Sequence, residues 1–372
     1  MSSSEPRVAV VGGGVIGVST ARHLARLGGD VTLVTEGRLG SVASGRSLSW
    51  LNSAGRYPDY YHQLRLRGIE RYRELLAAHG RLDWLRFDGG LHWRSPEEAP
   101  QLVEQHHFQR GRGYESVLLS PAEVARQVPG VDPAAVPGTG AIHNPGDGWV
   151  DLPSLIELLV AELLDAGGRV LTDAGPSEVQ LQAGRVAHVS TARGDRLAVD
   201  ATLLATGSDV PRAAATFGVS IPDATSLALL VRTEPARSGL KAVLNTPRVA
   251  LRPTPDGGLA VDSDWPTPHI VAGDDATYTV APEVVDELLT EASRVLAGHP
   301  VLTPRSCGIG TKPVPGDGEP VLGPLGDIEG LHVAFTHSGA TLALVVGELL
   351  AAEITSGQPE PLLAPFRAAR FS

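Results

Sequence analysis

The chain has 372 residues and a mass of 38.9 kDa, enough for two domains at roughly 100–200 residues each. Hydrophobic residues at 42% and charged residues at 20% allow a sizeable packed core and exclude a largely disordered chain. The formal net charge of −11 argues against a nucleic-acid or anionic-membrane partner.

A single cysteine, Cys307, excludes intramolecular disulfides and cysteine-rich zinc or iron–sulfur sites. No histidine pair has metal-site spacing, so no metal is expected. Of 31 basic residues only Lys241 and Lys312 are lysines, so any chemistry that needs a lysine has two candidates. No apolar run reaches the ~20 residues of a membrane span, and Met1 to Arg7 lacks a secretory leader pattern. A soluble cytoplasmic protein is the expectation.

Residues 7–11 (RVAVV) read as a buried parallel strand. The run GGGVIG at 12–17 follows at once. Ile16, Thr20, Leu24 and Leu27 then recur at helical spacing, and Gly28 and Gly29 stop the helix. Residues 31–34 are a second apolar strand, closed by Glu36. Gly12, Gly14 and Gly17 fit G-x-G-x-x-G. The first glycine permits the tight turn, the second lets backbone approach a pyrophosphate, and the third lets helix pack on strand. Val15 and Ile16 open the helix, whose free N–H groups suit a phosphate. Glu36, 19 residues past Gly17, can accept both hydroxyls of an adenosine ribose. Strand, turn, helix and acid together predict dinucleotide binding.

Residues 41–56 form a loop of small and hydroxyl-bearing residues suited to wrapping a polar cofactor. Residues 60–79 read as a helix with many arginines, expected to be solvated. Residues 95–150 read as irregular. Asp151 caps a helix whose apolar side is Leu155, Leu158, Leu159 and Leu163. Strands are expected at 169–172 and, as a hairpin about Gly194, at 186–191 and 196–199. The strand from Asp200 ends in the small residues Ala205, Thr206 and Gly207, as a strand edge touching a cofactor would.

Residues 227–232 and 249–252 read as strands, with 259–262 returning after a turn at 255–258. Residues 282–297 are an amphipathic helix. The end of the chain returns to glycine-rich loops: a loop at 311–323, a strand at 330–335, a small-residue turn at 336–341 and a helix over 341–355.

The run at 12–17 with Glu36, the loop ASGRS at 43–47, ATG at 205–207, DGEPVLG at 317–323, HSGAT at 337–341 and the tail PFR at 365–367 together resemble the D-amino acid oxidase, glycine oxidase and sarcosine oxidase (DAO) superfamily of FAD-dependent oxidoreductases. The resemblance covers nearly the whole chain. It implies an α/β fold with a glutathione-reductase-like (Rossmann-type) FAD domain and an interleaved mixed-sheet substrate domain. The expected division is 1–49, 137–213 and 305–372 for FAD, and 50–136 and 214–304 for substrate.

The same resemblance implies non-covalent FAD. Glu36 would hold the adenosine ribose, with Gly37 and Arg38 beside it. Ser44, Gly45, Arg46 and Ser47 would line the pyrophosphate and ribityl, and Val179 would meet the adenine through its backbone. Ser338, Gly339, Ala340 and Thr341 would sit near the pyrimidine edge of the flavin. There a helix N-terminus carries about +0.5 charge and suits the negative charge of reduced flavin.

The implied activity is oxidation of the C–N bond of an amino acid or secondary amine, with O2 or another acceptor taking the electrons. The chemistry takes place on the flavin, so no catalytic side chain is assigned. Lys312 stands where relatives have an arginine that clamps the substrate carboxylate. Arg252 is a second candidate clamp and Arg56 a weaker one; Trp50 would narrow the pocket.

Two family lysines are missing, at positions aligned with Ala340 and Ala260, which leaves a dehydrogenase open beside an oxidase. Cys307 lies about three residues from where a flavin-binding cysteine would fall and reads as a buried, inert residue. His62, His106 and His107 read as surface residues, and His337 as structural. The alternatives are an FAD-dependent 2-hydroxy-acid dehydrogenase and a flavin-binding protein with a decayed site.

Overall fold

The computed structural model describes residues 6–273 and 277–371. The leader expectation rests largely on residues 1–5, which lie outside the described residues.

Strand Arg7–Val11 is the centre of a six-stranded sheet, because Val8, Ala9 and Val10 can be buried on both faces. It pairs in parallel with Asp30–Val34 and with Ala201–Leu204. Arg169–Leu171 and Leu331–Phe335 extend the sheet in parallel, and Val321–Pro324 closes it antiparallel. Helices Val15–Arg26, Leu152–Asp165 and Gly339–Ser356 cover one face, in a core that includes Val18, Leu24, Leu155, Leu159 and Val346. The last helix is charged only at Glu348 and Glu353, which pair with Arg71 and Arg367, since sheet and helices enclose most of it. A three-stranded antiparallel layer, 177–198, covers the other face through Val186 and Val189.

An eight-stranded mixed sheet stands beside this unit. Leu229, Val231, Leu251, Leu259 and Val261 bury one face against helix Pro282–Arg294. Alternation turns Ala228, Arg252, Ala260 and Asp262 to the opposite face.

The helix expected at 60–79 spans Asp59–His79; its outer face, with Arg67 and Arg73, is solvated as expected, but its inner face is not. Tyr61, Arg65, Gly68 and Tyr72 follow helical spacing and are buried along one face. The stretch 95–150 is also more ordered than expected. It holds helices Ala99–Gly111 and Pro121–Gln127 and three short strands. Its polar buried side chains, such as Gln105 and Gln109, broke the apolar periodicity; both donate to the Ala54 carbonyl.

Two segments assigned from the sequence to the FAD domain lie in the eight-stranded sheet instead. Ala141–Asn144 pairs with Gly90–His92, and Pro304–Lys312 pairs along its length with Ser226–Thr233. A strand at a boundary joins whichever sheet edge satisfies its backbone, which spacing along the chain does not reveal.

Candidate active site

A cavity of about 960 Å³ runs from the glycine turn at 12–14 to the open face of the eight-stranded sheet. Three small-residue turns meet on its wall: 12–16, 205–208 and 336–341. Each follows a strand of the six-stranded sheet or precedes a helix, so the sheet places all three at one edge.

The first turn is shaped by backbone contact. Gly12 has φ of 124°, and a Cβ there would lie 2.3 Å from the Ala205 carbonyl oxygen. A Cβ on Gly17 would lie 2.0 Å from the Gly12 carbonyl oxygen, so Gly17 shapes the turn from behind the cavity. Gly14 faces open space except for Ser44, whose hydroxyl accepts from the Val15 N–H at 3.0 Å. The helix beginning at Val15 has no acidic residue in its first turn. Glu36 is exposed at the cavity wall, beyond the second strand. An open Gly14, a helix N-terminus without an acidic residue in its first turn and an exposed carboxylate 19 residues past Gly17 fit a flavin dinucleotide.

Arg38, Ser44, Arg46, Ser47, Ala205, Thr206 and Gly207 line the same cavity. Arg46 lies along strand Pro304–Lys312, where Gly308 and Gly310 leave room for its side chain. Gly37, Gly45 and Val179 are not on the wall; near Val179 the lining residues are Pro176 and Ser177. Gly45 instead packs against the Gly40 carbonyl.

At the far end the turn 336–341 is knitted to the helix Asp59–His79. Tyr61 OH donates to Ser338 Oγ at 2.7 Å, Arg65 donates to the same oxygen, and Tyr72 OH donates to the Ala340 carbonyl at 2.6 Å. A Cβ on Gly68 would lie 2.2 Å from the Thr341 carbonyl oxygen, so the helix and turn are in backbone contact. Ser338, Gly339, Ala340 and Thr341 all face the cavity.

The cations divide in a way the sequence did not show. Arg252 is fully buried and away from the cavity wall. It donates to the carbonyls of Leu48 and Pro253 at 2.5 and 2.8 Å and reaches Asp151 at 3.5 Å. Burial pulls it down to about 10, against the pull of Asp151. Arg252 is therefore a structural cation and not a clamp. Its strand faces the correct way for a clamp, but Asp151 and the carbonyls reach it first.

Lys312 lines the cavity, and its ammonium pairs with Asp264 at 2.9 Å. Arg56 lies on the wall and pairs with Glu104 at 3.0 Å.

Arg65 is the residue that sequence reading missed. It is 3% exposed, lines the cavity, and has no carboxylate in salt-bridge range among the described residues. It donates to the Asn52 carbonyl at 2.6 Å and stacks over Tyr57 at 4.3 Å, while its Nε has no partner. Arginine in an arginine-rich helix carried no signal by itself. The available clue was its spacing with Tyr61, Gly68 and Tyr72.

Trp50 lines the cavity, and its Nε1 donates to Asp147 Oδ2 at 2.9 Å. Tyr114 OH donates to the other oxygen. Asp147 is fully buried, and burial pushes its carboxyl up to about 7 despite those two bonds. His92 and His337 are on the wall as well. Burial, then Arg94, pulls His92 down to about 4; burial, then Lys312 and Arg65, lowers His337. His62 is buried, not on the surface, and shares a 2.7 Å hydrogen bond with Ser53 Oγ. His106 is bonded to Ser116, and Cys307 is exposed and not among the lining residues.

The family model for FAD dependent oxidoreductases (DAO) matches residues 7–353. The chain is 30% identical to glycine oxidase from Pseudomonas aeruginosa over 381 residues, covering 96% of this chain and 97% of that one. It is 24% identical to one of the chains of opine oxidase from Agrobacterium tumefaciens, covering 99% of this chain and 98% of that one. The solved structure of glycine oxidase from Geobacillus kaustophilus superposes with a TM-score of 0.83 at 25% identity, covering 99% of both chains. The fold is therefore the Rossmann-type α/β fold of DAO flavoenzymes, the protein is an enzyme, and its cofactor is FAD. The chain belongs to the DAO family of FAD-dependent oxidoreductases.

Proposed function

We propose that this enzyme oxidises the C–N bond of an amino acid or secondary amine, its α-hydrogen passing as hydride to flavin N5. The resulting imine hydrolyses to a carbonyl compound and an amine or ammonia. FAD, when bound, supplies the electron sink. The protein holds the substrate and its charges in place.

The observation that carries this reading is Arg65, a buried guanidinium on the cavity wall without a carboxylate partner. A buried charge needs a counter-charge, and the substrate carboxylate supplies one. Lys312 is the second cation of the wall. Asp262 and Asp264 already lower its attraction for an anion, so Arg65 is the principal anchor. A planar guanidinium also holds a carboxylate through two parallel bonds, which an ammonium does not. Trp50 limits the width of the pocket. Glu36, Arg38, Ser44, Arg46, Ser47 and Ser338 to Thr341 hold the dinucleotide.

The FAD-binding part comprises 1–49, 137–213 and 305–372, less the two strands that join the larger sheet. The substrate part comprises 50–136 and 214–304 with those strands. We place the enzyme in the cytoplasm, with O2 or another acceptor reoxidising the flavin. The alanines at 260 and 340 favour an acceptor other than O2.

A 2-hydroxy-acid substrate is the second reading. It is favoured by His92, an uncharged imidazole on the cavity wall. Anaerobic mixing with each class separates the two. Bleaching of the flavin by amino acids and not by 2-hydroxy acids supports the first reading; the reverse result removes it.

A further inference from the structure

An amino acid enters from water as a zwitterion. Hydride leaves carbon only when the nitrogen lone pair is free to form the C=N bond. The cavity must therefore hold a carboxylate and also take a proton from an ammonium group.

Among the described residues four carboxylates line the cavity: Glu36, Glu104, Asp209 and Asp262. Glu36 stands at the dinucleotide end, after the second strand of the βαβ unit. Glu104 pairs with Arg56 at 3.0 Å, and Asp209 with Arg212 at 2.6 Å. Asp262 is different. It lies on strand Leu259–Asp262, on the face of the eight-stranded sheet that closes the cavity. No side chain donates a hydrogen bond to its carboxylate among the described residues.

Among the described residues two charged groups act on Asp262. Lys312 acts on it from the end of strand Pro304–Lys312, two strands away, and Asp264 follows on its own segment. Its register partners on the two flanking strands, Leu230 and Ala250, are uncharged. Burial pushes the Asp262 carboxyl up to about 6; Lys312 pulls down and Asp264 pushes up. Arg65 approaches the same cavity from the helix Asp59–His79, and Lys312 and Arg65 both lie close enough to His337 to lower it. The cavity therefore has an anion-binding residue on its helix wall and, on its sheet wall, a carboxylate whose hydrogen bond comes from the Ser263 backbone alone.

We infer that Asp262 is the amine-binding residue of the cavity: its carboxylate receives the substrate ammonium and takes its proton. The N–H bond breaks, the electron pair stays on nitrogen, and the proton bonds to an Asp262 oxygen. The α-hydrogen then leaves carbon with its electron pair for FAD, and the nitrogen lone pair forms the C=N bond. Low dielectric favours this transfer, since a neutral acid and neutral amine are easier to bury than two ions. The inference rests on the amine-oxidising reading above.

The test uses the full-length, FAD-loaded enzyme and two carboxylates that carry no oxidisable amine. One is 2-aminoisobutyrate, which lacks an α-hydrogen; the other is isobutyrate, which lacks the amine. Binding is read from the shift of flavin absorbance. The native enzyme is expected to prefer 2-aminoisobutyrate by about tenfold, a preference worth about 1.4 kcal/mol. Asp262→Asn should remove that preference while isobutyrate still binds within about threefold, since the anion anchor is untouched. Asp262→Ser, a smaller residue, provides a second variant if Asn disturbs the sheet. Flavin reduction by an oxidisable amine should slow by about 100-fold or more in either variant. A preference that survives in both variants, or that the native enzyme lacks, overturns the assignment of Asp262. If no amine bleaches the native flavin anaerobically, the functional reading itself fails.

Discussion

Trp50 Nε1 donates to Asp147 Oδ2 at 2.9 Å, so a residue of the cavity wall is held by a fully buried carboxyl group on a neighbouring segment. Tyr114 OH donates to the other oxygen of Asp147, and Asp147 has no salt bridge among the described residues. Burial thus dominates, and the group sits near 7 in the folded chain against an ordinary aspartate value near 4.

This gives a pH prediction whose sign is fixed. The folded state binds the Asp147 proton more tightly than the unfolded state. The contribution of Asp147 to stability is complete below pH ~4 and is lost as pH rises toward ~7, by up to about 1.4 kcal/mol per pH unit. Asp147→Asn keeps an acceptor and removes the titration. Urea unfolding of both proteins across pH 4–8 should show the native chain losing stability relative to the variant. A difference that stays flat over that range contradicts the prediction.

Arg65 and Lys312 should differ in weight. Arg65→Met is expected to weaken isobutyrate binding by about 30-fold or more, the loss of a charge-assisted bond of about 2 kcal/mol. Lys312→Met should cost less, because Asp264 already pairs with the ammonium. Flavin absorbance titrations of the two variants check the order; a larger loss for Lys312 would reverse the assignment.

Gly12→Ala tests the dinucleotide turn. The substitution puts a Cβ within 2.3 Å of the Ala205 carbonyl oxygen at a φ of 124°. Backbone has to move, and strain of about 1–3 kcal/mol or more follows. The variant should purify with little flavin and a lowered Tm. Full flavin content at native Tm would show that the turn is more forgiving than its contacts imply.

Asp151 joins three roles. Its side chain accepts from the Ser154 N–H as helix cap, pairs with Arg232 at 3.0 Å and reaches buried Arg252 at 3.5 Å. Asp151→Ala should destabilise the fold by about 3–5 kcal/mol, because it leaves a buried guanidinium without its carboxylate. Arg252→Met in the same background should restore part of that loss, measured by urea unfolding. No recovery would mean that Arg252 gains little from Asp151.

The sequence by itself determined the βαβ unit, its glycine turn, the Asp151 cap and the hairpin about Gly194. These depend on residues close in the chain, where periodicity and backbone geometry act directly. It also carried the family, through several short motifs in a fixed order. Only the tertiary structure decided which charges face the cavity. Arg252 and Arg65 are both buried arginines, yet one meets a carboxylate and carbonyls while the other opens on the cavity. Asp262 and Lys312 lie 50 residues apart on strands separated by a third, and Arg65 joins the same cavity wall from a helix. Spacing along one element reports which face a side chain takes. The partner waiting on that face is set by how sheets and helices pack, and for a buried charge that partner decides its role.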